Sequence, residues 1–227
     1  MNRFIFLLLL AGWLPPKAKA QASLDLQLGT SKRDYSFATA RLNYQLNGVW
    51  RIGAEFQASD YRYRFIDARR IESGYASEVR LFALRRLSGN ERIRLDAFTK
   101  VGWRSVRVSD DEPQEILYDF QNSTALLIDP GLLVTIKAQE RLYFHTGMYL
   151  PLVFQTTPEP LGEQLQSNCI LFGGSYALGE RWAVLATGFT GATFGGEGDT
   201  EKYLWQTSVG IRFSLGSSQE PSLVVGY

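Results

Sequence analysis

From Ala22 onward, apolar and polar residues alternate along most of the chain. Between positions 49 and 58, Trp50, Ile52, Ala54, Phe56 and Ala58 share one face, and Val49, Arg51, Gly53, Glu55 and Gln57 share the other. A period of two is that of a β-strand with two unlike faces. The pattern recurs over residues 23–29, 35–46, 49–63, 75–87, 92–104, 125–137, 142–154, 168–178, 182–194 and 203–215. In the third of these segments the parity slips near Ser59-Asp60, where Tyr61, Tyr63 and Phe65 take the other phase. That slip predicts a bulge or the onset of a loop.

The connections have a rhythm of their own. Asn47-Gly48 predicts a two-residue type I′ hairpin, because both residues tolerate positive φ. Ser88-Gly89-Asn90, Gln139-Glu140-Arg141 and Gly179-Glu180 mark three more tight turns. Between them lie longer connections: the acidic stretch 110–123, the segment 155–166 with Pro158 and Pro160, and the glycine-rich stretch 195–201. Short turns thus follow the even-numbered strands and long loops the third, fifth, seventh and ninth. Transmembrane barrels place short turns in the periplasm and long loops outside. The expected fold is all-β, an antiparallel up-and-down transmembrane β-barrel over residues 22–215. Ten strands is the count the pattern gives, with eight or twelve as the neighbouring solutions.

The first twenty residues stand outside this fold. Arg3 precedes the apolar run Phe4–Leu14, and Ala18-Lys19-Ala20 supplies a small-x-small cleavage pattern, so 1–20 reads as a secretory signal peptide. That run is too short to span a bilayer, which needs about 20 apolar residues. The signal carries Arg3, Lys17 and Lys19 and no acid, so its removal takes the formal charge from +1 to −2. That balance gives no basis for nucleic-acid binding. Cys169 is the only cysteine, which excludes an internal disulfide. Residues 216–227 read as a short tail or an additional strand.

Period two does not say which face meets water. The placement of aromatics favours the apolar face outward: Tyr44, Trp50 and Trp182 lie beside tight turns, and Tyr75, Trp103, Tyr203 and Trp205 lie towards long loops. Rings at both strand ends are the girdles of two membrane interfaces. The opposite face carries Arg41, Arg51, Glu55, Glu78, Arg80, Arg94, Asp96, Lys100, Lys137 and Arg212. These ten are expected to form a charge network in the lumen. With about ten strands, side chains fill the interior rather than leaving an open channel.

Candidate chemistry is sparse. His145 is the only histidine, and a strand-borne His-x-Ser pair is absent because Gly147 stands two residues on. No paired-ligand spacing for a metal appears, and the glycine runs lack the strand–loop–helix context of a phosphate loop. No catalytic residue, cofactor or metal site is therefore assigned. The signal, the hairpin rhythm, the girdles and the last strand SVGIRFSL resemble the small outer-membrane β-barrels of Gram-negative bacteria, the OmpX-like, OmpW-like and Bacteroidota barrels. The resemblance spans Ala22 to about Leu215 and implies residence in the outer membrane, contact with its lipid and insertion by the barrel-assembly machinery. In such barrels a closing aromatic, here Tyr227 or Phe213, is read during assembly. The expected function is a non-enzymatic barrel whose exposed loops bind a partner, or which serves as an accessory of a larger envelope complex. The alternatives are a narrow channel for small solutes or ions, a lipid-modifying enzyme using His145, and a soluble periplasmic barrel holding an apolar ligand.

Overall fold

The computed structural model describes residues 21–31, 36–64, 71–108, 123–157, 165–194 and 202–215. Residues 1–20, read as a signal, residues 216–227, read as a tail or extra strand, and most of the long connections lie outside the described residues. Eleven strands follow in chain order: β1 (Gln21–Ser31), β2 (Ser36–Gln45), β3 (Trp50–Arg64), β4 (Ile71–Gly89), β5 (Ile93–Val108), β6 (Ser123–Lys137), β7 (Leu142–Tyr149), β8 (Leu152–Thr157), β9 (Leu165–Ala177), β10 (Trp182–Phe194) and β11 (Lys202–Ser214). Every pairing is antiparallel, β11 closes onto β1, and β9 pairs with β10. β7 and β8 both lie between β6 and β9 and form one stave, so the barrel has ten staves. The segment read as one strand over 142–154 is interrupted at Leu150-Pro151 because proline has no N–H to give to the ladder. The ladder survives the break: Leu150 N donates to Pro130 O at 3.0 Å.

No bulge interrupts β3 at Ser59-Asp60. Its ladder with β4 runs unbroken from Trp50↔Arg85 to Arg64↔Ile71. Ser59 still points inward and Asp60 outward, so the backbone alternation continues through this pair without a slip. A bulge does occur in β4, where the ladder skips Leu87 between Arg86 and Ser88. It leads into Gly89, whose φ of +147° favours a residue without a side chain.

The Asn47-Gly48 hairpin forms, but Gly48 is not left-handed. Asn47 instead turns the chain with its side chain, whose Oδ1 accepts from Val49 N and Trp50 N, both at 2.8 Å. Asn90 repeats the device, accepting from Arg92 N at 2.8 Å and Ile93 N at 2.9 Å.

Burial is inverted relative to a water-soluble protein. Leu28, Leu81 and Val209 are 67%, 66% and 64% exposed, whereas Asp25, Arg41 and Lys100 are 0%, 1% and 1% exposed. Exposed apolar side chains of this kind recur on every stave, far beyond the few hundred Å² that a soluble surface presents as one patch. The apolar face meets lipid and the polar face lines the interior, which removes the soluble-barrel alternative. Inside, the glycines Gly29, Gly53 and Gly131 face Phe37, Phe82 and Phe98 on the neighbouring strand. Each ring lies where the glycine's Cβ would stand, the aromatic cover that keeps strand glycines ordered.

Candidate functional site in the barrel lumen

Register sets the charges opposite one another. Across neighbouring strands Arg212 faces Asp25, Asp25 faces Arg41, Arg41 faces Glu55, and Glu55 faces Arg80. Farther round, Lys100 faces Asp129 and Glu78 faces Arg104. Signs alternate along this belt, so each buried charge has an opposite partner one strand away. Arg212 holds Asp25 in a fork, Nε to Oδ1 and Nη2 to Oδ2, both at 2.6 Å. Asn43 Nδ2 donates to the same carboxylate at 3.2 Å, and Arg41 Nη1 lies 3.7 Å from it. Glu55 then takes Arg41 Nε at 2.7 Å and Lys100 Nζ at 3.2 Å.

A second cluster adjoins the first. Arg80 donates to Glu78 at 2.5 Å and reaches across β5 to Asp129 on β6 at 3.2 Å. Gly102 makes that reach possible, because a Cβ there would collide with the Arg80 stem and the Val79 carbonyl. Arg104 Nε lies 3.5 Å from Glu78, and Arg94 Nε donates to Asp96 at 2.7 Å. Burying charges is tolerated when each is paired; every charge named here has an opposite partner, while Arg80 Nε, Arg104 Nε, Arg212 Nη1 and Asn43 Oδ1 are buried without a hydrogen-bond partner.

The structure places the ten lumen charges expected from sequence as follows. Arg41, Glu55, Lys100 and Arg212 share the first cluster, and Glu78 and Arg80 the second. Arg94 and Asp96 pair near the turns. Arg51 donates to Gln45 Oε1 at 3.3 Å. Lys137 is half-buried at the end of β6 and makes no ion pair among the described residues. Asp25, Asp129, Asn43 and Arg104 were missing from that list although they complete the clusters. Their signal was present: Asp25 sits between Leu24 and Leu26, and Asp129 is the lone acid in the apolar run of β6, each on the inward parity.

The charge-filled lumen expected from sequence is only half of what is there. Phe82, Leu84, Phe98, Leu133, Tyr149, Cys169, Leu171 and Phe189 form an apolar cluster inside the barrel. The Tyr149 ring stands edge-on to Phe189 at 5.9 Å and tilted to Phe98 at 6.5 Å. Strand β6 belongs to both sides: Asp129 closes the ionic belt, while Leu133 is buried in the apolar cluster.

His145 points into the lumen from β7. Its Nδ1 lies 3.1 Å from Thr135 Oγ1 and its Nε2 lies 3.4 Å from Ser175 Oγ. The serine missing at position 147 is thus supplied by β9. All three side chains are buried, and the orienting partner is a hydroxyl, not a carboxylate. Among the described residues no group of three or more His, Cys, Asp or Glu side chains could hold a metal ion.

On the outer face Trp50, Tyr75, Trp103, Trp182 and Trp205 are exposed and Tyr44 is half-exposed; the side chain of Tyr203 lies outside the described residues. Trp182 packs on Phe213 at 4.8 Å between centroids, and Arg85 sits 5.6 Å over the Trp50 ring. Both pairs lie at the turn end of the barrel, the level of an interfacial girdle.

No family model matches the chain, and no curated protein matches it. Solved structures do. The β domain of the Bordetella autotransporter Brka superposes with a TM-score of 0.53 at 13% identity, covering 86% of this chain and 98% of that one. This chain has the fold of a Gram-negative outer-membrane β-barrel. Also similar are the translocator domain of the autotransporter NalP from Neisseria meningitidis (TM-score 0.48, 11% identity, 92% and 93% covered) and an outer-membrane channel from Pseudomonas putida F1 (0.47, 9%, 89% and 100%). At these identities the likeness is one of architecture.

Proposed function

We propose that this barrel is a non-enzymatic outer-membrane scaffold with a closed lumen, which engages a partner through its exposed connections or serves as an accessory of an envelope complex. One observation supports the reading most: the central inward side chains pack on one another across the lumen. Ion pairs fill one side of the lumen and apolar packing fills the other, which leaves a small barrel of this kind braced instead of open. A hydrolase reading would need a nucleophile that substrate can reach and a base oriented for it. Ser175 and His145 meet each other but are buried, with Thr135 in the orienting place. The apolar outer belt fits bilayer lipid, and insertion would follow the barrel-assembly route.

The reading is tested in planar bilayers and in cells. The purified chain is expected to be electrically silent across voltages, and His145→Ala is expected to leave the membrane lipid profile unchanged. A reproducible unitary conductance would instead favour a narrow channel. A lipid change abolished by His145→Ala would favour an enzyme.

A further inference from the structure

Three of the four tight turns end in the same pair of residues. Glu91-Arg92, Glu140-Arg141 and Glu180-Arg181 each stand immediately before the first residue of a strand, Ile93, Leu142 and Trp182. The arginine of each pair is held through its backbone by the next stave. Lys137 N donates to Arg92 O at 2.7 Å, Ala177 N to Arg141 O at 2.9 Å, and Ser214 N to Arg181 O at 2.8 Å. In the fourth hairpin the equivalent place belongs to Val49, whose carbonyl accepts from Arg86 N at 2.8 Å. That turn, Asn47-Gly48-Val49, carries no charge.

All six charged residues are exposed, and none makes an ion pair among the described residues. The pairs sit at the edge of the lipid-facing belt, since Ile93 and Trp182, the next residues on, are 50% and 48% exposed on the outer face. Glu91, Glu140 and Glu180 share the outward parity of Ile93, Leu142 and Trp182, two residues on. The adjacent arginine carries its charge on a long stem that extends to the interface. Each pair is neutral, so the rim has no net field to steer a charged macromolecule. The pairs also repeat around the barrel, where lipid headgroups surround the rim and one soluble partner does not.

We propose that these three turns bind phospholipid headgroups that carry both a phosphate and a primary ammonium, the phosphatidylethanolamine type, in the leaflet on the turn side. The glutamate accepts hydrogen bonds from the ammonium, and the arginine donates to the phosphate. A choline headgroup has no N–H to give the carboxylate, and a glycerol headgroup has no cation at all. The surface is continuous with the apolar belt, so the acyl chains of a bound lipid lie along Ile93, Leu142 or Trp182. The inference rests on the membrane fold alone and holds with or without a protein partner.

The test places the full chain in phosphatidylcholine bilayers containing a minor fraction of lipid brominated near the head of its acyl chains, and reads tryptophan quenching. One variant keeps only Trp182 and another only Trp50, with every other tryptophan changed to Phe. Brominated phosphatidylethanolamine is expected to quench Trp182 as if enriched about two- to fivefold over brominated phosphatidylcholine, the range for exposed ionic contacts. Trp50, beside the uncharged turn, should show no enrichment. Glu180→Gln should remove the preference at Trp182 and Arg181→Gln should lower it, both with the folded, heat-modifiable band unchanged. Should either variant fail to fold, added salt on the unchanged turn gives the same reading, because screening removes an ionic enrichment. Equal quenching of Trp182 by the two lipids, the same enrichment at Trp50, or a preference that survives Glu180→Gln or high salt would each overturn the proposal. Equal enrichment of brominated phosphatidylglycerol would overturn it too, since arginine would then be attracting phosphate alone.

Discussion

Across the lumen from one another lie two walls that are equally buried and held by opposite means. Around β11 and β1–β3, and the middle of β4 and β5, Asp25, Arg41, Glu55, Lys100, Arg80 and Arg212 interlock as ions. From the turn ends of β4 and β5 round to β10, Leu133, Leu171, Phe98 and Phe189 pack as in a soluble core. Closing the barrel on the ionic side needs exact partners, because an unpaired buried charge is heavily penalised. Closing it on the apolar side needs only volume and shape, and neighbours can relax around a change. The same burial therefore gives a brittle wall and a forgiving one.

That contrast can be broken experimentally. The largest effect is expected from Glu55→Leu, which leaves Arg41 and Lys100 without their shared carboxylate. Unfolding in denaturant should show a loss of about 3–5 kcal/mol, and adding Lys100→Met should recover part of it. A loss below about 1 kcal/mol would mean that water already solvates this wall. On the other wall Leu133→Ala is expected to cost about 2–5 kcal/mol, with no rescue from a charge change elsewhere. If it destabilised more than Glu55→Leu, the ranking of the two walls would be reversed.

Two smaller effects sharpen the boundary between the interior and its surroundings. Ile211→Arg puts a cation on the lipid side of β11 and should cost about 2–4 kcal/mol near mid-bilayer when measured in liposomes. A change near zero would place that position at an interface. Asn90→Ala removes a side-chain acceptor of two backbone N–H groups at a water-exposed turn and should cost about 1 kcal/mol. Thermal unfolding monitored by the heat-modifiable band would detect it, and an effect as large as that of Glu55→Leu would contradict the placing of stability in the lumen.

How much of this was legible in the sequence varies with the range of the interaction. The strand segments, the four tight turns and the two faces followed from local alternation, and 182–194 coincides with the observed β10. Arg41 and Glu55 were legible as inward residues for the same reason. Local pattern misled at Ser59-Asp60, where the backbone alternation continues without a bulge, and at Gly48, where Asn47 closed the turn by a different route. The apolar wall was missed because its members occupy inward positions, where polar residues were expected to fill the whole interior. Ser175 was missed as the partner of His145 because the two lie on different strands.

By itself the sequence determined which side chains share a face, because strand geometry alternates residue by residue and needs no distant partner. It also determined the apolar belt, since lipid contact imposes a period of two on the outward face of most strands. Only the tertiary structure decided which inward charge meets which. Asp25 and Arg212 are 187 residues apart in the chain, and they pair only because β11 closes onto β1 in one register. Closure likewise divided the lumen into an ionic and an apolar wall, because register across ten staves, and not the order of residues within one, sets what stands beside what.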